Sequence, residues 1–145
     1  MSSATEPLPS FDVPEGYASW WSLELRPWFR DIDYLGHLTA SSYAVIYEEA
    51  VGTFVEAMWG TDAAYVVAHV AITYGREVRM GESPVRVHVR CEGAEGSRFS
   101  CAMVLIGPDG SPRSTARGYY SAWDMQARRS RELLNDERER LLRGR

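Results

Sequence analysis

Cysteine is scarce in this chain of 145 residues: only Cys91 and Cys101 occur. Both sit in strand-like runs without metal-ligand spacing, so neither a metal centre nor a disulfide framework is expected. They read as small, reduced core or sheet residues of a cytoplasmic protein, ahead of a bridge between adjacent strands. Long apolar runs are also missing, and none could span a bilayer. Residues 1–11 lack both a basic segment and an apolar one, so no signal peptide is expected. Positive charge is not in excess. With a net charge of −4 there is no general pull toward nucleic acid or an anionic membrane, and neither is expected as a partner. Any anion site must be a local patch. No internal repeat is visible.

What remains is the composition of one globular domain with a real core. Residues 1–16, with three prolines and Gly16, read as a flexible arm. Residues 19–28 are aromatic and β-favouring, with Pro27 near the end, and read as a first strand. From Ser41 to Trp59 the period changes: Tyr43, Ile46, Tyr47, Ala50, Phe54 and Met58 recur at three and four residues. That predicts a long helix, apolar enough to be largely buried, with Ser41 or Ser42 capping its start and Gly60 ending it. Gly52 in its middle costs roughly 1 kcal/mol relative to alanine, which suggests that something packs close there.

After Gly60 the chain is strand-like. Residues 65–79 form a β-rich run with Gly75 as a bulge or bend. Gly81 to Pro84 is a turn. Residues 85–90 alternate valines with cations or His88, the clearest half-buried strand in the sequence. Residues 99–106 and 114–123 are two more strands, separated by the turn Gly107-Pro108-Asp109-Gly110. Short turns predict an antiparallel meander of these four strands. Residues 125–145, with Leu133, Leu134, Leu141 and Leu142 as a narrow stripe, predict a helix on the surface. The expected class is α+β: an antiparallel five-stranded sheet around one long helix, plus a C-terminal helix.

The chemistry concentrates in residues 28–50. Asp31 and Asp33 lie two apart, Gly36 and His37 follow, and then comes the start of the helix. A carboxylate beside a helix N-terminus suits attack on a carbonyl. The carboxylate supplies or activates the nucleophile, and unpaired N–H groups hold the oxyanion. The N–H groups of residues 39–43, Ser42 and Tyr43 among them, are the oxyanion candidates.

The pattern R-D-x-D-x-x-G-H, followed by a tyrosine and E-E-A, resembles the hotdog-fold acyl-CoA thioesterases of the 4-hydroxybenzoyl-CoA thioesterase type. The resemblance runs over most of residues 19–124 and takes in the strands at 74–81 and 85–89 and the ending at 116–124. It implies a hotdog domain at 17–124 that hydrolyses an acyl-CoA thioester. It also implies a homodimer or homotetramer with sheets joined edge to edge, and no cofactor, since coenzyme A is part of the substrate. Asp33 matches the family's acidic residue before x-x-G-H and is assigned as nucleophile or general base. His37 would orient it or donate to the substrate carbonyl, and Gly36 would give the backbone its shape. Asp31, Glu48 and Glu49 are second-rank candidates. Arg76, Arg79 and Arg86, around the bend at 75–84, are the expected contacts of the coenzyme A phosphates. This chain has Thr39 and Ala40 where family members often carry two asparagines. Two alternatives are an acyl-carrier-protein thioesterase and a non-catalytic acyl-thioester-binding protein.

Overall fold

A computed structural model describes residues 10–60 and 63–144. In chain order it has β1 (Trp21–Leu25), α1 (Ala40–Trp59), β2 (Tyr65–Tyr74), β3 (Val85–Glu95), β4 (Arg98–Ile106), β5 (Pro112–Asp124), the two-residue β6 (Arg129–Ser130) and α2 (Asn135–Arg143). The main strands form one antiparallel sheet in the order β1-β3-β4-β5-β2, and β6 pairs with β5. The sheet curls about α1, which is the hotdog architecture.

The order corrects the simple meander. β3, β4 and β5 follow one another, but β2 lies beyond β5 at the far edge. The reason is the link from β2 to β3. It is not a short turn: β2 stops at Tyr74, and residues 75–84 cross the end of the sheet. Gly75 is not a bulge within the strand but the first residue of that crossing. A Cβ there would run into the Phe11 ring, so any larger residue would have to push that ring off the crossing. The bulge in β2 lies instead between Val67 and His69.

Every residue of the predicted apolar face of α1 is buried: Tyr43, Ile46, Tyr47, Ala50, Phe54 and Met58, joined by Val51 and Val55. They pack on the inward side of β3 and β4, on Val85, Val87, Val89, Met103 and Leu105. The opposite face, with Ala44, Val45, Glu48, Glu49 and Glu56, is exposed. The helix is therefore less buried than its composition implied, because the sheet covers one side of it. The N-cap is Thr39 rather than Ser41 or Ser42, and its side chain makes no capping bond. Gly52 has the predicted close neighbour, since a Cβ there would sit 3.3 Å from the Tyr65 hydroxyl.

Residues 10–20 lie along the outer face of the sheet. Asp12 and Pro14 adjoin Ala71, Thr73, Thr115 and Arg117 there, and Tyr17 meets His88 edge to face at 5.3 Å. At the other end of the chain, helix begins only at Asn135, because residues 125–130 turn back to form β6. Leu133 and Leu141 of the predicted stripe are buried, whereas Leu134 and Leu142 are exposed.

Candidate active site

The loop between β1 and α1 is built from two small hydrogen-bonded units. The first centres on Asp31. Its Oδ2 accepts the Trp28 N–H at 2.6 Å, its own N–H donates to the Trp28 carbonyl, and its carbonyl accepts the Thr39 N–H at 2.8 Å. Ser42 Oγ lies 3.4 Å from Asp31 Oδ1. Asp31 thus ties the approach to the helix onto the helix start, which is a structural task.

The second unit is the turn at residues 33–37. Asp33 Oδ1 accepts the N–H of Leu35 at 2.9 Å and that of His37 at 3.1 Å. The Asp33 N–H donates to the His37 carbonyl, and Gly36 N–H to the Asp33 carbonyl. Gly36 has φ 79, with open space around it, so backbone conformation rather than crowding requires glycine. One oxygen of Asp33 is therefore pinned by two backbone donors. The other, Oδ2, has no hydrogen-bond partner among the described residues. Asp33 thus caps the turn through one oxygen and keeps the other free of protein partners among the described residues.

This turn is zipped to the crossing segment. Leu38 N–H donates to the Val78 carbonyl at 2.7 Å, Met80 N–H to Gly36 at 2.8 Å, and His37 bridges Arg79 in antiparallel fashion. The bridge places His37 Nε2 2.8 Å from Glu77 Oε2, while Glu77 Oε1 takes the Arg79 guanidinium at 2.6 Å. That hydrogen bond from Arg79 holds the Glu77 carboxyl below its ordinary value. Glu77 was not foreseen in the sequence. No spacing in R-E-V-R ties it to His37, and only the path of the crossing brings it there.

Of the oxyanion candidates, Thr39 N–H is taken by the Asp31 carbonyl and Ser42 N–H by the Thr39 carbonyl. Ala40 and Ser41, at the first positions of α1, keep backbone N–H groups without a partner among the described residues. Tyr43 is buried edge-on against Tyr74, with ring centroids 4.9 Å apart, and burial pushes its hydroxyl upward. Glu48 and Glu49 are both exposed but diverge. Glu49 faces a cleft, and Glu48 lies on the side of Tyr65 and Tyr120.

That cleft, of about 620 Å³, runs between α1 and the loop before it. Its helix wall is Ser42, Val45, Ile46 and Glu49, and its other wall is formed by residues 24–28 with Arg30 and Asp31. The three arginines expected at coenzyme A do not form one cluster. Arg76 lies 3.6 Å from Asp109 and Arg79 is held by Glu77. Arg86 donates to Ser22 on β1 and lies 3.8 Å from Glu24. Arg113, at the same end of the sheet, is wholly buried. It donates to Glu82, Asp109, Ser111 and the Glu77 carbonyl, and so clamps the crossing to the turn between β4 and β5. Among the described residues no group of His, Cys, Asp and Glu could hold a metal ion. None of their helices is long and apolar enough to cross a membrane.

A helix inside a curled sheet, with an acidic turn at the helix mouth, defines the class. The model of the thioesterase-like superfamily matches residues 27–141, and the chain belongs to that superfamily. No curated protein matches it by sequence. Among solved structures, a thioesterase from Thermus thermophilus complexed with coenzyme A and zinc is 25% identical. That match covers 86% of this chain and 94% of the other, with a TM-score of 0.75. A predicted thioesterase from Bacillus stearothermophilus is 15% identical over 87% of this chain and 96% of its own, at TM-score 0.78. A 1,4-dihydroxy-2-naphthoyl-CoA thioesterase from Synechocystis is 15% identical over 83% and 93%, at TM-score 0.71. The last two are similar in fold.

Proposed function

We propose that the protein hydrolyses an acyl-CoA thioester to the free acid and coenzyme A, with Asp33 as the reacting carboxylate. The observation that carries this reading is the anchoring of Asp33: Oδ1 holds two backbone N–H groups and Oδ2 is left open. Family membership and the coenzyme A in the Thermus relative support it. Asp33 either attacks the thioester carbon, forming a mixed anhydride and releasing the thiolate, or takes a proton from a water that attacks instead. The N–H groups of Ala40 and Ser41 hold the oxyanion that develops, aided by the positive end of α1. His37, steadied by Glu77, lines the same turn and keeps the carboxylate in register.

A second copy completes the assembly. Strand β2 is an edge of ten residues without proline or lysine, and Val67, Val70 and Tyr74 on it are exposed. Such an edge invites pairing. The exposed face of α1 lies beside it. Light scattering on the purified chain should give at least twice the monomer mass.

The test is turnover over a panel of acyl-CoA thioesters, with free thiol as the readout. Hydrolysis of at least one, lost in Asp33→Asn, supports the reading. A variant that keeps the wild-type rate on every cleavable thioester overturns it.

A further inference from the structure

All sixteen cations of this chain are arginines, so each carries the planar fork that suits phosphate. Seven are already paired. Arg76, Arg79, Arg86, Arg113, Arg117, Arg131 and Arg140 each have a carboxylate within 4.0 Å. Arg26 and Arg30 have none among the described residues, and both are exposed and line the cleft beside α1.

These two sit on the segment R-P-W-F-R, residues 26–30. Two cations there flank two exposed aromatics, Trp28 at 70% and Phe29 at 84%. Trp28 also lines the cleft, so its indole is open to a ligand there. The segment is also rigid. Asp31 clamps the Trp28 N–H, Ile32 N–H returns to the Phe29 carbonyl, and Pro27 fixes one backbone angle. Arg30 is stacked over the Trp28 ring at 5.8 Å rather than paired, so its donors stay available.

We propose that residues 26–30 bind the phosphorylated adenosine end of coenzyme A, with Arg26 and Arg30 on the phosphates and Trp28 against the adenine ring. This rests on the acyl-CoA reading of the site and moves the phosphate contacts away from Arg76, Arg79 and Arg86. A planar base stacks on an exposed indole whatever its edge pattern. Phosphate oxygens pair with guanidinium N–H groups in charge-assisted bonds. Three carboxylates share the cleft: Glu24, Asp31 and Glu49. Asp31 is bound by Trp28 N–H and Glu24 faces Arg86. Glu49 belongs to the helix wall, opposite the loop, where the uncharged pantetheine arm would run. The cleft, at about 620 Å³, lies within the roughly 300–1,000 Å³ usual for small-molecule sites.

The experiment compares an acyl-CoA with the same acyl group on N-acetylcysteamine, a thioester without phosphate or adenine. For the double variant Arg26→Gln/Arg30→Gln, the ratio of kcat/KM on acyl-CoA to kcat/KM on the short thioester should fall at least about tenfold. Adenosine 3′,5′-bisphosphate should inhibit the wild type competitively and the variant at least about tenfold more weakly. Trp28→Ala should weaken that inhibition too, and its quenching of tryptophan fluorescence should vanish. An unchanged ratio overturns the proposal, as does an equal loss on both thioesters. A wild type that cleaves neither thioester but binds the bisphosphate through these arginines upholds this site and overturns the hydrolase reading. A wild type that hydrolyses acyl-CoA but is not inhibited by the bisphosphate overturns this site alone, whereas one that accepts only acyl-carrier-protein overturns both this site and the acyl-CoA reading.

Discussion

Glu77 holds His37 from the far side of the sheet crossing: the carboxylate touches His37 Nε2 at 2.8 Å and Arg79 at 2.6 Å. The link joins the turn that carries Asp33 to a segment forty residues later in the chain. Glu77→Gln keeps the shape and weakens the bond to the imidazole. We expect kcat to fall several-fold with little change in KM, because a positioning group acts on the reacting geometry rather than on binding. Glu77 is part-exposed, so melting should shift little. A stability loss that accounts for the whole effect would make the pair merely structural.

On the proposed reading, Asp31 and Asp33 separate by task. Asp33→Asn retains the two N–H bonds to its oxygen and loses the charge, so it should lose activity by about a hundredfold or more while folding normally. Asp31→Ala removes the acceptor for Trp28 N–H, a bond of the capping kind. It should cost about 1 kcal/mol of stability and leave a larger fraction of kcat than Asp33→Asn does. Thermal melts and steady-state kinetics on both variants check this. Equal catalytic losses at equal stability would contradict the division.

The helix was legible because its period was strong: each of the six apolar positions that recur at three and four residues is buried. The turn at Asp33 was not read from the sequence: the motif pointed to Asp33 as the reacting carboxylate, and its bonds to the Leu35 and His37 N–H groups emerge only from the fold. Strand order was not legible. The β-rich run read as continuous to Arg79, yet β2 stops at Tyr74, and Val78, though buried in the core, lies on the crossing. Misreading the crossing as strand hid both the position of β2 and the partner of His37. The arginines misled for a related reason. Alternation in β3 showed which side Arg86 lies on, but not that Ser22 and Glu24 of β1 would meet it there.

Arg113 is the buried joint of that crossing, and its loss should be felt. Arg113→Met leaves Glu82 without its cation and Asp109 with Arg76 alone. Both are part-exposed and can take up water, so the cost at pH 7 should be about 2–4 kcal/mol, below the upper range for a fully buried pair. The Arg113 hydrogen bond holds the Glu82 carboxyl below its ordinary value. Asp109 is lowered first by Ser111 and then by Arg113. A carboxyl lowered on folding stabilises above the ordinary carboxylate range, near pH 4, and loses that contribution as pH falls through the folded value. The gap between wild type and Arg113→Met should therefore narrow below about pH 4. Denaturant melts at pH 7 and pH 3 measure it, and a constant gap would contradict the assignment.

Gly52 and Tyr65 make a tighter test, because two effects oppose each other. Alanine in mid-helix gains about 1 kcal/mol over glycine. At position 52 its Cβ would meet the Tyr65 hydroxyl at 3.3 Å. Tyr65 cannot swing away freely: its ring stands edge-on to Phe99 at 5.9 Å and to Tyr120 at 5.6 Å. Gly52→Ala alone should thus come out within about 0.5 kcal/mol of neutral, the gain cancelled by crowding. Tyr65→Phe removes the oxygen that crowds the site, and on that background Gly52→Ala should stabilise by most of the 1 kcal/mol. A double-mutant cycle read by chemical denaturation gives the coupling. A full gain in the single variant would mean that β2 yields at Tyr65, and that the helix and the edge strand are packed less tightly than this contact implies.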